Sequence, residues 1–215
     1  MSSKKFLTAE AISNALTTVY DSGVISPPVI SSVQELADEY MKKTHDISKA
    51  ADSLIRWQCA KVGASGFLLG LPGGVAASAT IPADIAQTMY VQLRMSAAIA
   101  CMYGLDPHSD QCRVICYLAM CGSACSEVLK KTGSEAAKMI TKKAIKEIST
   151  ETLKAINKKV GGYLVSRWSA KSIVTLGKIV PVVGGIVGAS MDIVAVKATG
   201  VAIKMLCEKC TAEDK

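Results

Sequence analysis

Two stretches of this sequence leave a folding chain few choices. Val62 to Ala83 reads VGASGFLLGLPGGVAASATIPA, 22 residues without a charge, and Ile179 to Met191 reads IVPVVGGIVGASM. Apolar runs of this kind must be removed from water, into protein or into lipid. Length alone lets the first span a bilayer. Its centre argues against an uninterrupted span, because Pro72-Gly73-Gly74 is a turn signal and Gly63, Gly66 and Gly70 precede it. Two half-length helices joined at Pro-Gly-Gly fit better, as a hairpin buried in protein or inserted partway into a membrane. Pro181 with Gly184-Gly185, followed by Gly188, repeats the pattern. Pro72 to Asp84 is 12 residues and Pro181 to Asp192 is 11, and an apolar helix follows each Asp. The repetition predicts two glycine-rich hairpins packed as a pseudo-two-fold pair. Gly66, Gly70, Pro72, Gly73, Gly74, Pro181, Gly184, Gly185 and Gly188 are then the ligand- or membrane-contacting positions.

The rest of the chain reads as helix. Only 5% of residues are aromatic and half are apolar, without strand clusters at regular turn spacing, which argues for an all-α helical bundle. Thr8 caps a helix from Ala9 to Tyr20 that stops at Asp21-Ser22-Gly23. A second runs from about Ile30 to Thr44, and a third starts at Asp46 or Ser48. After Pro82 a long helix is expected from Ala83 to Tyr103, with Gly104 just past its end. Asp106-Pro107 predicts the start of a helix over 107–131. A Lys-rich helix follows over 135–148, then one from Thr150 to Val160 stopped by Gly161-Gly162, another from Tyr163 to Leu176, and a last one from Asp192 to about Cys207. The expected organisation is amino-terminal amphipathic helices over 1–52, a main helical domain over 53–208 and a polar tail over 209–215.

Three motifs recur in a recognisable order: GFLLGLPGG at Gly66 to Gly74, PADIAQTMYVQLRMSAAIACMYGLD from Pro82 to Asp106, and KIVPVVGGIVGASMD from Lys178 to Asp192. In these the chain, from about Ile55 to Leu206, resembles the EcsC family of bacterial proteins. The resemblance implies an α-helical protein linked to membranes and brings no established reaction with it. The positions matching the family pattern are Asp84, Tyr103, Gly104, Asp106, Pro181, Gly184, Gly188 and Asp192.

Charge and chemistry narrow the function. The net charge is +7, and eleven lysines fall between Lys130 and Lys178. A basic face of this kind attracts anionic lipid or nucleic acid, or simply solvates a helix. Nucleic acid is disfavoured, because no aromatics interleave with the lysines and no nucleic-acid-binding motif appears. Met1 to Glu10 has no signal-peptide core, so a cytoplasmic location and free thiols are expected for the eight cysteines. Cys112, Cys116, Cys121 and Cys125 sit on one helix and read as core residues rather than zinc ligands. Cys207 and Cys210 form a lone C-x-x-C of little weight. His45 and His108 read as solvated. No phosphate loop, nucleotide fingerprint or nucleophile elbow occurs, so no cofactor is implied. Asp84 and Asp192 form the candidate paired acidic site: either two helix-end carboxylates satisfying backbone amides, or an acid pair that converges on a cation or a proton. These observations lead to a membrane-associated, non-enzymatic protein, peripheral or partly inserted, touching lipid through its hairpins and Lys-rich face. The alternatives are a soluble bundle that binds an apolar ligand or a partner protein, a pore formed by inserting hairpins, and an enzyme using Asp84 and Asp192.

Overall fold

A computed structural model of the chain describes residues 8–26, 31–63, 81, 83–131, 150–168 and 191–212. The nine positions expected to contact ligand or membrane lie outside these residues, as do the proposed hairpin pair and the Lys-rich stretch 135–148. Among the described residues every regular element is helical: α1 (Ala9–Tyr20), α2 (Val33–Lys43), α3 (Ile47–Gly63), α4 (Ala83–Met102), α5 (Asp110–Ala119), α6 (Cys125–Lys130), α7 (Thr150–Trp168) and α8 (Met191–Ala212). The all-α bundle expected from the sequence is the fold.

Local chemistry sets most of the boundaries. The Thr8 side chain accepts from the Ala11 amide and starts α1. Ser32 and Glu35 form a reciprocal capping box, which moves the start of α2 to Val33 from the expected Ile30. Asp46 starts α3 by accepting from the Lys49 amide at 3.1 Å. At Asp21-Ser22-Gly23 the chain does not stop but widens into a π-helical turn, Asp21–Ile25. There the Gly23 carbonyl accepts from buried Arg94 of α4 at 2.9 Å.

Two further expectations are corrected. The helix predicted over 107–131 starts later and is broken. Asp106 and Pro107 belong to a turn, Ser109 caps α5 by accepting from the Cys112 amide, and a bend of 118° after Ala119 separates it from Gly122–Lys130. Gly122 makes the corner with φ +58, a left-handed conformation open to glycine. Gly161-Gly162, in contrast, stops nothing: α7 runs through both to Trp168. A Cβ on Gly161 would stand 2.7 Å from the Ala9 carbonyl oxygen, so this glycine lets α1 and α7 approach rather than ending a helix.

Four helices define the direction of the bundle. α3 and α8 are antiparallel, joined by Lys204 Nζ to Asp52 Oδ1 at 2.8 Å, by Ile55 packed on Gly200, and by the Cys59 thiol against the Ile193 carbonyl at 3.9 Å. α4 and α8 run parallel, with Tyr103 Oη donating to Glu208 Oε1 at 3.1 Å where both end. α5 returns alongside α8 until Gly122 meets Ala198. One apolar core draws on every helix from α1 to α8, and the expected boundary at residues 52 and 53 falls inside α3.

Candidate functional site

The topology gathers the described ends of both apolar segments. α3 leads into the first segment at Gly63, and α4 receives the chain at Ala83. α8 begins at Met191, where the second segment ends. Because α3 is antiparallel to α8 and α4 parallel to it, all three termini open at one end of the bundle. The fourth terminus faces the same half: Arg167, in the last turn of α7, donates to the Met120 carbonyl at 2.7 Å, beside the Gly122 corner that packs on α8.

Asp84 and Asp192 each lie one residue past the first described residue of a helix at this end, α4 and α8. Counted along the axes from the Tyr103–Glu208 bond at about 1.5 Å per residue, the two positions differ in height by about one helical turn.

The other described family-motif residues, Tyr103, Gly104 and Asp106, have structural duties at the opposite end. Gly104 has φ +79 and closes α4: its amide donates to Cys101 O at 2.9 Å and that of Leu105 to Ala100 O at 3.0 Å, the two bonds of a Schellman cap. Asp106 Oδ1 accepts from the His108 amide at 2.9 Å, and its carbonyl accepts from Ser109, which shapes the turn into α5. Burial and the Glu208 carboxylate raise the Tyr103 pKa, so this hydroxyl stays a donor at neutral pH.

The cysteines behave as core residues. Seven of the eight are buried, all are free, and Cys112 and Cys116 place their sulfurs 4.0 Å apart. Burial pushes Cys101 up to about 12 and Cys125 up to about 11, so they are thiols rather than metal-binding thiolates at neutral pH. Among the described residues no group of three or more His, Cys, Asp or Glu side chains could hold a metal. His45 and His108 are exposed.

Two features escaped sequence reasoning. Gln92 and Ser96 of α4 and Thr199 of α8 are fully buried, and none of their side-chain polar atoms has a hydrogen-bond partner. Helical spacing puts Gln92 and Ser96 on the Tyr103 face of α4, toward α8. Thr199 lies at their level, nine residues before Glu208. The second feature is a groove of ≈ 660 Å³ between α2 and α3, lined by Leu36 and Tyr40 on one side and by Arg56, Trp57 and Lys61 on the other. Lys43 Nζ binds Glu39 at 2.7 Å and holds that carboxyl below its ordinary pKa.

No single described helix is long and apolar enough to cross a membrane; the bent pair Asp110–Ala119 and Gly122–Lys130 passes by composition alone. Its apolar residues, Cys112 through Met120 among them, fill the core, which accounts for that composition. No curated protein and no solved structure gives a significant match. The sequence model of the EcsC protein family, however, matches residues 4–207, taking in the amino-terminal helices as well as the motifs above, and this chain belongs to that family.

Proposed function

We propose that this EcsC-family protein is a membrane-associated helical protein that meets lipid at the end of the bundle where its glycine-rich segments depart. The observation that carries the reading is the common placement of Gly63, Ala83 and Met191 at that end. Both attachment points of an uncharged 22-residue stretch, and the described one of its shorter counterpart, thus lie at the same end of the described helices. Lipid is the solvent in which such stretches lose least by exposure. In this reading Asp84 and Asp192, one residue past the described starts of α4 and α8, are the candidate paired acidic site. Lys154, Lys158 and Lys159 are exposed on α7 but stand about 12–20 Å along its axis from Arg167, which suits them to long-range attraction toward anionic lipid rather than to headgroup contact.

Co-sedimentation with vesicles tests the reading. The protein should pellet with vesicles containing phosphatidylglycerol at low salt, and the bound fraction should fall as salt screens the attraction. Complete recovery in the supernatant at low salt would refute it.

A further inference from the structure

The groove between α2 and α3 combines features that single out one kind of ligand. Trp57 is 52% exposed, the most exposed large hydrophobic side chain among the described residues. Lys61 Nζ lies 5.3 Å from the centre of its ring. Across the groove, Lys43 and Glu39 neutralise each other. Arg56 and Lys61 are therefore left as surplus positive charge, and among the described residues neither is in an ion pair. A bound group must then be anionic. It must also tolerate an indole that is half in water, the situation of tryptophan at a membrane–water boundary.

Position separates lipid from other anions. Arg56, Trp57 and Lys61 occupy the last two turns of α3, two to seven residues before Gly63, where the uncharged segment leaves. That is about 3–10 Å along the axis, the depth of one headgroup layer outside a hydrocarbon core. A nucleic acid would need a longer basic track with stacking aromatics, and the groove offers one exposed ring and two surplus cations.

We infer that this groove seats the phosphate-bearing headgroup of an anionic phospholipid, with Arg56 and Lys61 on the phosphate and the Trp57 indole at the boundary with the acyl chains. The inference rests on the membrane reading above and names the headgroup site within it.

The full chain carrying Trp168→Phe has Trp57 as its only tryptophan. Its emission should shift to the blue on vesicles of phosphatidylglycerol and phosphatidylcholine, and lipids brominated on the upper acyl chain should quench it. Arg56→Gln with Lys61→Gln should bind these vesicles about 30-fold more weakly, the effect expected of two basic residues at an anionic surface. Lys154→Gln with Lys158→Gln removes the same charge from α7 and should cost clearly less. All four side chains are exposed, so unchanged thermal melting establishes that each variant is folded. Wild-type protein that ignores every vesicle would overturn the membrane reading and this inference together. Wild-type binding with unmoved Trp57 emission, or equal losses from the two charge pairs, would overturn this inference alone. So would free glycerophosphate that moves the emission as far as vesicles do, since the groove would then be a soluble-phosphate site.

Discussion

Gly161 and Gly162 are neighbours in α7 with opposite surroundings. A Cβ on Gly161 would meet the Ala9 carbonyl oxygen at 2.7 Å, whereas one on Gly162 meets nothing within 4 Å. Both would gain about 1 kcal/mol from replacing glycine with alanine in a helix. At Gly161 the obstacle is backbone of α1, which cannot swing aside, and overpacking of this kind costs about 1–3 kcal/mol. Gly162→Ala should therefore raise the urea midpoint, and Gly161→Ala should lower it despite the same gain in propensity. Equal midpoints would show that the α1–α7 contact is looser than described. A Gly-Gly pair reads as a helix stop because the local signal is all a sequence offers. What decides is a carbonyl about 150 residues away. Gly104 is the opposite case: Tyr103-Gly104 at the end of an apolar helix was legible as a cap, and the Schellman bonds are made within six residues.

At the scale of elements, what depended on neighbouring residues was readable and what depended on a second helix was not. Thr8 and Asp46 marked helix starts correctly. The Ser32–Glu35 box was present in the letters and outweighs the apolar residues that suggested an earlier start for α2. The corner at Gly122 was hidden inside an uninterrupted apolar pattern. The α2–α3 groove had no signature either, since Tyr40 and Trp57 look like ordinary amphipathic positions until the two helices are placed side by side. The α4–α8 interface gives a test at this scale. Thr199 is fully buried and its hydroxyl is unpartnered, so its desolvation is not repaid. Thr199→Val keeps the branched shape and removes the hydroxyl. It should stabilise the protein by about 1 kcal/mol in urea unfolding. A loss of stability instead would mean that the hydroxyl, with Gln92 and Ser96, holds water inside the bundle.

At the scale of the molecule, the described helices share one core, and that core is rich in ionisable groups held neutral. Burial raises Cys101 to about 12, Cys125 to about 11 and Tyr117 to about 12. In an unfolded chain the thiols titrate near 8.5 and the phenol near 10. Between those values and the folded ones the folded state holds protons that the unfolded state has released. Stability must then fall as pH rises. Below about pH 8 the groups are neutral in both states and contribute no slope. Above it each tenfold difference in proton affinity is worth about 1.4 kcal/mol, although water reaching a loosening core reduces the full amount. With a reductant present, the urea midpoint should be level from pH 6 to 8 and decline steadily between pH 9 and 11. Cys101→Ala with Cys125→Ala should flatten the first part of that decline while lowering stability at pH 7 through lost packing. A midpoint unchanged from pH 8 to 10.5 would mean that water reaches Cys101, Cys125 and Tyr117, and that burial does not hold them neutral.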